Sequence, residues 1–246
     1  MNPSRNITRT RSAFALKPSL AAAAMVLLVS ASTAQAQGGN KNPRVIPPDQ
    51  TFRNLSYGQW GARWWSTAFS IPVVNGSHPL LSGGAFGGED GVVFLAGIAG
   101  GVTLDITIPS GTALFFPAVN SECSVLEPDP FHGEDEASLR ACANGFIDHT
   151  SGRFVEIDGV PVKNLDNYRV ESPLFVFGPL PENNLFEFSG LDAPAGTTSP
   201  SVDAGVYVLL APLKVGKHTV HFGGTFDQFA FSIDTTFNIT VTPGKP

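Results

Sequence analysis

Between Asn120 and Cys142 the chain carries six carboxylates, Glu122, Glu127, Asp129, Glu134, Asp135 and Glu136, together with His132. Two carboxyl groups that converge in a cleft can act as general acid and general base. Three can hold a hard cation. Glu122, Glu127 and Asp129 are the metal-ligand candidates, and calcium suits them better than zinc, because oxygen-rich sets favour the former and nitrogen or sulfur the latter. The spacing matches neither an EF-hand loop nor a His-Glu-x-x-His motif, so the competing expectation is a solvated acidic loop that caps the helix after it. The catalytic candidates are Glu122 and His218. His218 and His221 lie three apart in a strand-like segment, which puts them on opposite faces, so either could join the acidic loop only if the fold brings it there. A Gly-x-Ser-x-Gly nucleophile elbow is absent. Gly83 to Gly88 is glycine-rich but lacks the lysine of a P-loop, and it reads as a flexible loop.

Cys123 and Cys142 are the only cysteines. They enclose the acidic segment, and in an oxidising compartment they are expected to form one disulfide. Such a compartment is indicated by the N-terminus. Arg5, Arg9, Arg11 and Lys17 precede an apolar run from Leu20 to Val29, and Ala34-Gln35-Ala36 follows. This is the layout of a secretory signal cleaved after Ala36, so a secreted or periplasmic location is expected. No segment approaches the roughly 20 apolar residues of a membrane helix. Loss of residues 1–36 removes four basic and no acidic residues, taking the formal charge from −6 to −10. An acidic chain without clustered Lys or Arg excludes nucleic acid and anionic membrane surfaces as partners.

The elements that must position these groups are mostly strands. Glycine and proline number 26 and 20, and charged residues are only 15%, a composition of short strands and turns. Residues 37–50 read as a flexible lead-in, and residues 51–246 as one domain. Two helices interrupt the β pattern. The first opens on Ser56-x-x-Gln59, a capping box, carries Tyr57, Trp60, Trp64 and Ala68 at helical spacing with Trp65 and Phe69 beside them, and is closed by Pro72. All three tryptophans lie in it. They are expected to seal the core, the alternative being a stacking platform for sugar rings. The second helix follows the acids at 134–136, with Leu139, Cys142, Ala143, Phe146 and Ile147 on one stripe. Among the strands, 102–108 alternates strictly, Asp158-Gly159 marks a hairpin, and Phe229 to Val241 alternates over thirteen residues. The expected fold is mainly β, an antiparallel sandwich of jelly-roll or immunoglobulin-like type with two short helices.

Trp60 with Trp64-Trp65, Phe94-Leu95-Ala96-Gly97, Phe115-Phe116-Pro117-x-x-Asn120-x-Glu122-Cys123 and Gly216-Lys217-His218-Thr219-Val220-His221-Phe222 together resemble the blocks of a family of uncharacterised secreted bacterial proteins. That family has no established activity, so the resemblance implies export and marks Asn120, Glu122 and His218 as motif members only. Its members tend to carry a cysteine ahead of the Phe-Leu-Ala-Gly block, where this chain has Gly83 to Gly88, which implies one disulfide fewer here. With no catalytic signature, the expected function is a non-catalytic binding module for a glycan, an envelope component or a protein. The alternative is an extracellular hydrolase or lyase that acts on polysaccharide through the acidic loop.

Overall fold

The computed structural model describes residues 42, 44–88 and 90–244; the signal-peptide reading lies outside them. Among the described residues, eleven strands form two sheets. In the first sheet β1 (Gly84–Gly87), β2 (Val92–Ala96), β4 (Ala113–Ser124), β9 (Ser199–Leu210) and β7 (Arg169–Glu171) lie side by side, and β8 (Phe175–Phe177) pairs with another stretch of β9. The second sheet runs β3 (Val102–Pro109), β11 (Phe231–Thr242), β10 (Gly216–Phe226), β5 (Thr150–Ile157) and β6 (Val160–Pro161). Pairing is antiparallel except for β2 with β4 and β3 with β11. The molecule is therefore a β-sandwich with one parallel pair in each sheet.

Strands β4 and β9 are buried along almost their whole length, which explains why their sequences are near-continuous apolar runs instead of alternations. One face meets the second sheet, where Phe116 packs on Phe222 with ring centroids 4.9 Å apart. The other is covered by α1 (Tyr57–Phe69). There Phe115 stacks on Tyr207 at 4.9 Å and takes the edge of Tyr57 at 5.9 Å. The second sheet has one wet face, so β3 and β11 keep their alternation, with Phe237, Ile239 and Val241 inward.

Helix α1 forms as its capping box requires. Ser56 Oγ accepts from Gln59 N, and Gln59 Oε1 accepts from Ser56 N at 2.9 Å. Its approach to the first sheet depends on two glycines: a β-carbon on Gly58 would collide with the Glu171 carbonyl, and one on Gly61 with Asp203 Oδ2. Trp60 and Trp64 are core residues, Trp64 donating to the Leu95 carbonyl at 3.2 Å. Trp65 is only partly covered. Besides α1 and α3 (Glu136–Asp148), the described residues form two single-turn α-helices, α2 (Pro79–Ser82) and α4 (Leu185–Phe188), and a 3-10 turn, Leu165–Tyr168. Asp135 caps α3, and Cys142 on this helix is disulfide-bonded to Cys123 on β4.

Four sequence expectations are corrected. The lead-in is fastened from residue 44 on: Val45 is buried and bridges Leu210, and Ile46 N donates to the Leu209 carbonyl at 2.9 Å. The glycine-rich stretch supplies β1, because Phe86 has a place between Trp64 and Phe94. The acidic segment does not start as a loop, since β4 continues through Ser124 by pairing with Ser201–Gly205. The last strand begins at Phe231; Phe229 sits in the turn before it, where Ala230 takes φ +49° and Phe229 N donates to the Phe226 carbonyl.

Candidate ligand-binding cavity

A cavity of about 410 Å³ opens where α1, α2, α4 and the β10–β11 turn meet the end of β4, a size within the range of small-molecule sites. Its walls are aromatic and aliphatic: Trp65 and Phe69 from α1, Leu80 from α2, Phe186 from α4, Phe131 and Phe146 from the 125–148 segment, Phe229 from the β10–β11 turn, and Phe226 and Phe231 from the strand ends that flank it. The turn explains Phe229 and Phe231. Both are large apolar side chains left 47% and 43% exposed at the mouth, where a fully packed sandwich would have hidden them.

The polar part is Asn120, Ser121 and Glu122 on β4 with Glu127 just beyond. The Glu122 and Glu127 carboxyls stand within hydrogen-bonding reach of each other. Ser201 Oγ also donates to Glu122, and Ser124 Oγ donates to Glu127 Oε2 at 2.8 Å. Burial is the main cause that pushes Glu122 well above the usual carboxylate range, and repulsion from Glu127 adds to it. Glu127 is raised by burial, partly offset by the hydrogen bonds from Glu122 and Ser124. Ser121 Oγ is buried and makes no hydrogen bond.

Behind Glu122 lies a second buried acid. Asp203, opposite Glu122 in the β4–β9 register, accepts from Trp65 Nε1 at 2.9 Å and from the Tyr207 hydroxyl at 2.7 Å, both at Oδ1. Asn120 Nδ2 donates to the Tyr207 oxygen at 3.0 Å. Oδ2 is buried without a partner. Burial pushes Asp203 up to about 7, and its charge raises Glu122 further. Asp203, Ser201 and Tyr207 escaped the sequence reading, although an aspartate inside the twelve-residue, otherwise charge-free strand Ser199–Leu210 was a usable signal: such a group is buried only with partners.

The remaining candidates stand elsewhere. Asp129 lines a separate shallow depression with His132 and Asp192, which Glu127 also borders. Among the described residues no group of three or more His, Cys, Asp or Glu side chains could hold a metal ion. Of the calcium set, Glu122 and Glu127 line the cavity and Asp129 does not. His218 does not line the cavity. Its Nδ1 pairs with Asp158 Oδ2 at 2.8 Å and its Nε2 with the Lys214 carbonyl at 2.9 Å, while Thr219 N donates to Asp158 Oδ1. Both ring nitrogens are thus engaged, Nδ1 with the Asp158-Gly159 turn and Nε2 with the backbone before β10. His221, on the opposite face, meets Asp234 at 2.8 Å and the edge of Phe154. Neither histidine joins Glu122. No protein-family model, curated protein or solved structure matches the chain.

Proposed function

We propose that the protein is an exported, non-catalytic binding protein whose cavity takes a small, largely apolar molecule with a polar end. The observation that carries this reading is the pairing of aromatic walls with a floor that holds two carboxyls in contact. Such a site gives apolar burial for affinity and a few polar groups for orientation. Of the partner classes the sequence raised, a glycan fits least, since its many hydroxyls would face rings and aliphatic chains. An apolar part of an envelope component fits better. Export agrees with the Cys123–Cys142 disulfide, a bond that persists in oxidising compartments.

Equilibrium binding of an uncharged naphthyl fluorophore tests the reading. Phe229→Ser with Phe231→Ser should weaken binding at least about tenfold with little change in melting temperature, because exposed substitutions usually cost under about 0.5 kcal/mol. No binding by the wild-type chain, or equal binding by the double variant, would overturn it.

One observation favours an enzyme as the second reading. A carboxyl that keeps its proton beside an ionised partner is equipped for general acid–base work, and Glu122 beside Glu127 has that form. Turnover in a hydrolase and lyase panel that disappears in Glu122→Gln would favour it over simple binding.

A further inference from the structure

We infer that the polar end of the ligand is an organic cation, an amine or quaternary ammonium group on an apolar body; this rests on the cavity being a binding site. Three acids, Glu122, Glu127 and Asp203, are gathered at or behind the floor. Among the described residues none of them is ion-paired with a Lys, Arg or His side chain, and no basic residue lines the cavity. Buried acids are ordinarily compensated by a paired charge. Here no protein cation supplies it, and a positive head on the occupant would pair with whichever of these acids is ionised.

The walls agree. Trp65, Phe69, Phe131, Phe186, Phe229 and Phe231 line the same space, and ring faces attract cations, more strongly where water is excluded. Ser121, buried on the floor, has a hydroxyl oxygen free to accept from an ammonium N–H. An anionic ligand would meet like charge with no donor cluster to offset it. A wholly apolar ligand would leave the acids and the Ser121 hydroxyl unmatched. The arrangement is complementary to a positive head on an apolar body.

Calorimetric titration of the full chain with three probes of similar shape tests this: 2-phenylethylammonium, 2-phenylethanol and 3-phenylpropanoate. The ammonium should bind at least about tenfold more tightly than the alcohol, with the propanoate weakest. Glu127→Gln should bring the ammonium to the level of the alcohol while the melting temperature holds or rises, and the double variant Glu122→Gln with Glu127→Gln serves as the second test should the first fail to fold. If alcohol and ammonium bind equally, or the propanoate binds best, the cation assignment falls and the apolar site stands. If the naphthyl fluorophore binds and no probe does, the cation assignment falls in the same way. If neither the fluorophore nor any probe binds, the cavity reading itself falls.

Discussion

Trp65 Nε1 donates to Asp203 Oδ1 at 2.9 Å, so the helix that closes the first sheet is tied to strand β9 of that sheet by an indole and a buried acid. The contact sits directly behind the cavity wall. It makes Asp203 one of the groups, with Glu122 and Glu127, through which pH acts on this part of the molecule. Asp203 titrates near 7 when folded and near 3.9 when unfolded. The folded state holds the proton longer. Its contribution to stability is therefore full below about pH 4 and is lost as pH rises through about 7. Asp203→Asn keeps an acceptor for Trp65 and Tyr207 but carries no charge. Relative to wild type, the variant should gain stability steadily between pH 4 and pH 8, by on the order of 2–4 kcal/mol at the upper end. Urea unfolding of both chains at pH 4, 6 and 8 checks this, and a difference independent of pH would contradict it.

The extent to which the sequence exposed this structure follows from how local each signal is. The capping box of α1 and the Asp158-Gly159 turn, with both residues at positive φ, are short-range features and were legible. So was the wet face of β3 and β11, because a strand half in water must alternate. The cavity was not legible. Its walls come from α1, α2, α4, the 125–148 segment and the β10–β11 turn, and no local pattern tells that Phe229 belongs to a turn when its parity matches the strand beyond. Nor does spacing tell that Asn120 to Ser124 pairs with β9, since the acidic residues that follow favour a loop.

Two helical glycines should respond oppositely to alanine. Gly58 presses on the Glu171 backbone carbonyl, whereas nothing lies within 4 Å of a β-carbon at Gly145 in α3. Gly58→Ala should destabilise by roughly 1–3 kcal/mol through overpacking. Gly145→Ala should stabilise by about 0.5–1 kcal/mol through helix propensity. Thermal melts of the two variants report both signs at once.

The Cys123–Cys142 disulfide spans 19 residues of sequence separation and ties α3 to β4 beside Glu122. The chain-entropy relation gives about 3 kcal/mol for a loop of this length. Cys123→Ser with Cys142→Ser should lower stability by that order, measured against the wild-type chain under oxidising conditions. An unchanged denaturation midpoint would show that the bond contributes nothing.

Trp64 and Trp65 are neighbours with different duties. Trp64 is 2% exposed in the core, and Trp64→Ala should cost on the order of 3–5 kcal/mol. Trp65→Phe keeps a ring on the cavity wall but removes the donor to Asp203. It should destabilise by about 0.5–1.5 kcal/mol, the net contribution of one hydrogen bond, because Tyr207 still donates to the same oxygen. Chemical denaturation of the pair ranks them.

The central claim is that the cavity beside Glu122 is where a ligand binds, and the three indole N–H resonances, one for each tryptophan of the chain, test it most directly. Trp60 and Trp64 are enclosed in the core, and only Trp65 lines the cavity. Titration of ¹⁵N-labelled protein with 2-phenylethylammonium and with the naphthyl fluorophore should shift the Trp65 indole signal in a saturable way and leave the other two nearly still. Saturable binding that leaves the Trp65 signal unmoved, or moves all three alike, would contradict the account.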